Sequence, residues 1–183
     1  MLGWDELEKC CQQCKRCSLY KSRNKLVFGS GNKKAKLVFI GEGPGQEEDK
    51  TGIPFVGRSG QLLDKILEAV NIKREDVYIA NIVKCRPPGN RDPLKEERDA
   101  CLPFLRNQVA LIRPGIIVCL GRVAAQTIID PDFRISKDRG RWIERKGYFL
   151  TATYHPSALL RDPARKREAW EDFKLIKEKL DSL

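Results

Sequence analysis

Three groups of residues in this chain have types and spacings suited to chemistry: a set of thiols, a glycine-rich loop dense in carboxylates, and polar side chains set in or just after apolar runs. Cys14 and Cys17 form a C-x2-C pair, and Cys85 and Cys101 follow far along the chain. Two thiolates from a tight N-terminal turn and two from a distant loop can close a four-sulfur site, which suits structural zinc or an iron-sulfur cluster equally well. Cys11 and Cys14 share the same spacing, so a redox or disulfide role for the N-terminal group, Cys10 included, stays open. Cys119 lies inside an apolar run and reads as a small core residue. An odd total of seven cysteines, with no export signal in the first residues, argues for reduced thiols rather than a disulfide framework.

The loop from Gly41 to Gly60 leaves the apolar run Leu37 to Ile40 and enters an amphipathic helix near Ser59, which puts it at the carboxyl edge of a strand. Its glycines let backbone approach a ligand closely, while consecutive Glu47, Glu48 and Asp49 make a simple phosphate cradle a poor fit. Phe55, after Pro54, is either a core plug or a platform on which a planar ring stacks. Asn81 interrupts Val77 to Val83, where a buried carboxamide without partners costs about 1 to 3 kcal/mol; it either braces a neighbouring loop or reads a ligand. His155, the single histidine, follows the run Tyr148 to Tyr154 on the same sheet edge as Glu42 and Asn81.

The elements that must position these residues follow from periodicity. Four apolar runs, Leu37 to Ile40, Val77 to Val83, Ile116 to Leu120 and Tyr148 to Tyr154, read as strands. The segments between them carry helical spacing, as in Leu62, Leu63, Ile66, Leu67 and Val70. The order predicts a three-layer α/β/α fold with a central four-stranded, mostly parallel sheet, residues 1–183 forming one domain with an N-terminal metal-binding segment of about 1–35. A last helix, Pro163 to Leu180, is expected to pack Trp170, Phe173, Ile176 and Leu180 on the sheet. Arg134 to Lys146 reads as an exposed connection. The chain holds 35 Lys and Arg against 25 Asp and Glu, a net charge of +10, which favours a polyanionic partner and nucleic acid first. No apolar run is long enough to span a membrane, and a cytoplasmic location is expected.

Taken together, C-x2-C with Leu19 following, GEGPG-x-EED-x-TG-x-PFVGR-x-GQLL from Gly41 to Leu63, N-x-x-K-C-R-P-P from Asn81 to Pro88, the second cysteine pair and HPS-x-LLR from His155 to Arg161 resemble the family 4, iron-sulfur branch of the uracil-DNA glycosylases. The resemblance implies a [4Fe-4S] cluster on Cys14, Cys17, Cys85 and Cys101, structural and without a redox step. It also implies a monofunctional enzyme, a monomer acting on single- or double-stranded DNA, that flips uracil out, hydrolyses its N-glycosidic bond and leaves an abasic site. Phe55 would stack on the base, Asn81 would read its amide edge, and the backbone of Glu42 and Gly43 would contact it. Glu48 would sit near C5 and exclude the methyl of thymine, and His155 would donate to O2. Ser59, Leu159, Leu160 and Arg161 would meet DNA, the leucines as a wedge in the emptied duplex position. Family 1 enzymes carry an aspartate where this chain has Gly43, so Glu42 becomes the candidate catalytic carboxylate, orienting water or stabilising the sugar cation. The rival reading is a non-catalytic iron-sulfur or zinc DNA-binding module attached to a replication protein. A branch that traps DNA through a histidine in an inserted loop fits poorly, since the one histidine lies in the last motif.

Overall fold

The computed structural model describes residues 1–183. In chain order the elements are α1 (Trp4–Gln12), β1 (Ser30–Gly31), β2 (Leu37–Gly41), α2 (Gln46–Thr51), α3 (Arg58–Ala69), β3 (Tyr78–Asn81), α4 (Lys95–Ile112), β4 (Ile116–Leu120), α5 (Arg122–Ile128), α6 (Ile135–Asp138), β5 (Ile143–Arg145), β6 (Tyr148–Thr153), α7 (Pro156–Arg161) and α8 (Lys166–Asp181). Every residue of β2, β3 and β4 is buried, the signature of parallel strands covered by helices on both faces. Side chains alternate along these strands. Val38 and Ile40 join one core with residues of α1, α4 and α5, while Leu37 and Phe39 join the other with Leu63 and Leu67 of α3 and Phe173 and Ile176 of α8.

The sheet order is β1-β3-β2-β4-β6-β5. The inner four strands pair in parallel, with Gly41 opposite Asn81 and Cys119 opposite Ala152 in register. From β2 the chain crosses to β3 on one side, then returns past β2 to β4 on the other. The connections leaving β2 and β4 therefore diverge and open a crevice at the carboxyl edge, where this class of sheet places its ligands.

Three expectations need correction. The sheet has six strands rather than four, because β1 and β5 add antiparallel edges; they are two and three residues long and exposed enough to carry no apolar run. For the same reason Arg134 to Lys146 is not a plain connection but α6 followed by β5, with Arg139 donating to Asp172 at 2.7 Å. The last helix starts at Lys166 after a 3-10 turn at Pro163–Arg165, and its buried stripe is Ala169, Asp172, Phe173 and Ile176. Trp170, one position round from Ala169, is left exposed.

Candidate active site and cysteine cavity

At the carboxyl edge of the sheet lies a cleft of about 590 Å³ whose lining draws on the exits of all four parallel strands: Glu42 and Gly43 after β2, Asn81 ending β3, Gly121 after β4 and His155 after β6. The structure thus assembles the three polar residues singled out from sequence, and adds Phe55, Glu48 and Ser59 from the glycine-rich loop and the start of α3.

The loop is built on buried carboxylates. Glu48 accepts the backbone N–H groups of Gly45, Val56 and Gly57 at 3.1, 2.9 and 2.8 Å. Asp49, 1% exposed, accepts the Asn24 backbone N–H at 2.9 Å, while Glu47 pairs with Lys50 on the surface. Two acidic residues that argued against a phosphate cradle are therefore structural. Glu48 does reach the cleft wall, with its carboxylate committed to folding the loop around Phe55.

Phe55 holds a left-handed backbone, φ 53°, which is unusual for a bulky side chain. Missing Cβ atoms make room for it. A Cβ on Gly60 would lie 1.8 Å from the Phe55 carbonyl oxygen, and one on Gly41 would lie 2.7 Å from the ring. The ring sits 5.5 Å from the His155 imidazole, centroid to centroid.

Asn81 is 1% exposed, and its Oδ1 has no hydrogen-bond partner in the chain. His155 receives the Ser157 backbone N–H on Nδ1 at 3.1 Å, and the Ser157 hydroxyl lies 2.8 Å from the same nitrogen. With Nδ1 accepting, the neutral ring carries its proton on Nε2. Burial, followed by the charge of Arg161, lowers the imidazole to about 4, so the ring is neutral at physiological pH. Gly121, φ 90°, packs beneath it; a Cβ there would come within 2.8 Å of His155 Cβ. Glu42 is half-buried, and burial first, then Asp92, raises its carboxyl to about 7, against the pull of Arg122, Arg98 and Arg161.

Arginines dominate the rim: Arg58, Arg91, Arg122, Arg161 and Arg165 all line the cleft. Arg122 is paired with Asp92 and Arg165 with Asp162. Of the expected wedge, Leu160 is half-buried, whereas Leu159 is 1% exposed and packs with Tyr154 and Ala169. Leu159 is a core residue, because α8 covers the face it projects from. Sequence reading missed Ser157, Asp92 and Arg122. Ser157 stands two residues past His155 at a helix start, and Arg122 follows the glycine that ends an apolar run, which were the available signals.

Cys14, Cys17, Cys85 and Cys101 line one small cavity, together with Cys11, Lys84 and Arg23. All seven cysteines are free thiols, and no three His, Cys, Asp or Glu side chains converge as they would around a single ion. The donor set suits anionic sulfur. Arg23 Nη1 donates to Cys85 Sγ at 3.1 Å, and the Lys84 backbone N–H donates to Cys101 Sγ at 3.3 Å. The Lys84 ammonium is wholly buried with only the neutral Gln108 amide as partner, at 2.7 Å, and burial lowers it to about 8. Unpaired buried charge is costly, so this lysine calls for negative charge in the cavity. Glu97, 2% exposed, accepts Arg91 through both guanidinium nitrogens at 2.8 and 2.7 Å, the Leu94 N–H at 2.7 Å and the Ser18 hydroxyl at 3.2 Å. These bonds, with Arg91 leading, hold its carboxyl down at about 2 and tie the residue after Cys17 to the helix bearing Cys101.

The sheet is doubly wound, and the cleft at its carboxyl edge brings together a rim of arginines, a buried amide and a neutral histidine. Residues 28–174 match the model of the uracil DNA glycosylase superfamily, and the chain belongs to that family. It is 46% identical to the type-4 uracil-DNA glycosylase of Archaeoglobus fulgidus, over 97% of this chain and 94% of that protein. It is also 46% identical to the type-4 enzyme of Thermotoga maritima, over 91% and 88% of the two chains, and 43% identical to that of Saccharolobus solfataricus, over 97% and 85%.

Proposed function

We propose that the protein is a monofunctional uracil-DNA glycosylase of the type-4 class, acting in base excision repair. The observation that carries this reading is Asn81: a buried amide with an unpartnered oxygen, lining the same cleft as Phe55 and a neutral histidine. Its Oδ1 would accept N3–H and its Nδ2 would donate to O4, a pairing that cytosine, with an acceptor at N3 and an amino group at C4, cannot make in the same orientation. The arginine rim would hold the phosphates while the nucleotide turns into the cleft.

Chemistry then needs the bond between N1 and the sugar carbon to break, with the electron pair leaving on the base. His155 Nε2–H would donate to O2 as that charge grows. A neutral donor whose other nitrogen is already capped needs no reorganisation at that moment. Water adds to the oxocarbenium-like sugar carbon and gives up one proton to solvent while the uracil anion takes one up, giving free uracil and an abasic site. Glu42 is our candidate to orient that water or steady the sugar cation. No amine nucleophile takes part, so the strand stays intact.

Cys14, Cys17, Cys85 and Cys101 would hold a [4Fe-4S] cluster, which supplies rigid cross-linking of the N-terminal segment to α4 rather than a redox step. The resemblance to the iron-sulfur branch, the N–H donors on sulfur and the buried Lys84 ammonium support this.

Incubating the protein with a uracil-containing oligonucleotide and then with alkali tests the activity. Cleavage at the uracil is expected only after alkali. An intact strand after alkali, with DNA binding preserved, would instead favour the non-catalytic module.

A further inference from the structure

Five thiols face the cysteine cavity, one more than a four-ligand site uses. Cys11 lies in the last turn of α1, is 0% exposed and lines the cavity together with Cys14, Cys17, Cys85 and Cys101. The Cys14 N–H donates to the Cys11 carbonyl at 3.0 Å, so the chain still turns helically between them. Side chains three apart on such a turn project to the same side. Cys11 and Cys14 therefore offer the cavity a pair of the same spacing as Cys14 and Cys17. No other thiol can do this, since Cys10 is exposed on α1 and Cys119 is buried in β4 away from the cavity lining. The charge that favours anionic sulfur sits on the same wall, where Lys84 lines the cavity with no carboxylate partner.

We infer that Cys11 is a reserve ligand: when the Cys17 sulfur is lost, the cluster is held by Cys11, Cys14, Cys85 and Cys101. Ligation through Cys11 releases one proton, because its thiol must ionise to bind, and no electron changes hands. The half-exposed Cys17, next to the 3-10 turn Ser18–Lys21, is the ligand this arrangement backs up.

The inference rests on the cluster proposed above, so the first measurement is iron, sulfide and visible absorbance of the unsubstituted protein purified without oxygen. A colourless, iron-free parent would defeat the cofactor reading and this inference together. With a coloured parent, Cys17→Ser should keep iron within about twofold of the parent, with an altered electron paramagnetic resonance spectrum on reduction, while Cys11→Ala keeps both the iron and the parent spectrum. The double variant Cys11→Ala/Cys17→Ser should lose iron about tenfold or more. A folded but iron-free Cys17→Ser overturns the inference and leaves the cofactor reading standing. So does a double variant as iron-rich as Cys17→Ser. A Cys17→Ser chain that fails to fold with iron and sulfide supplied also overturns it, because a retained cluster would hold the N-terminal segment in place.

Discussion

The cleft and the cysteine cavity share one stretch of chain, Asn81 to Cys101, yet they treat polar groups in opposite ways. In the cleft, Asn81 Oδ1 has no partner, Glu42 is pushed towards neutrality and His155 is held neutral. Around the cavity, Glu97 gathers Arg91, Leu94 and Ser18, Arg23 reaches Cys85, and Gln108 accepts from Lys84 and donates to the Phe28 carbonyl and the Tyr78 hydroxyl, which leaves the Lys84 ammonium, without an opposite charge, as the one group there still wanting a ligand. Satisfied groups hold the fold. Groups left wanting wait for a ligand that completes them.

Substitutions on the two sides should therefore register in different assays. The largest effect is expected for His155→Ala, a loss of roughly 100- to 1000-fold in the single-turnover rate, as for removal of one donor to a developing oxyanion. A loss below threefold would remove His155 from the chemistry and leave the cleft without its main actor. Next, Asn81→Asp should erode the preference for uracil over cytosine by about 10- to 100-fold, the worth of one mispaired buried group. If it lowers the melting temperature instead and leaves base preference alone, Asn81 belongs with the scaffold.

Glu97→Gln tests the other side, with an expected cost of roughly 1 to 3 kcal/mol in unfolding free energy and little change in the chemical step. Because the Glu97 carboxyl is held below its unfolded value, its stabilisation is complete above about pH 4.3 and fades as pH falls through about 2. The difference from the parent in acid unfolding should shrink over that interval. The smallest effect concerns Glu42. If its carboxylate acts on the water, the single-turnover rate should rise about tenfold as pH passes through about 7, with His155 neutral throughout, and Glu42→Gln should flatten the profile. A rise that survives the substitution would clear Glu42 of the role.

Much of this was legible in the chain itself. Strands β2, β3, β4 and β6 announce themselves because sheets buried on both faces need unbroken apolar runs. The cleft residues were found because Glu42, Asn81 and His155 interrupt or follow such runs. What stayed hidden depends on partners far away in sequence. Glu48 finds two of its three donors eight and nine residues on, at Val56 and Gly57. Leu159 is buried against Ala169 on the helix that follows, a partner ten residues on that the wedge reading did not take into account. The edge strands β1 and β5 are too short and too wet to leave a pattern.

A chain of 183 residues with a single histidine, in which Ser157 caps Nδ1, carries its own resonance probe. The imidazole signals in a nitrogen-proton spectrum need no assignment, and they belong to the group proposed to face the departing base. Adding free uracil should shift the Nε2 signal and leave the capped Nδ1 nearly still, so occupancy of the cleft can be followed in solution without any label on the DNA.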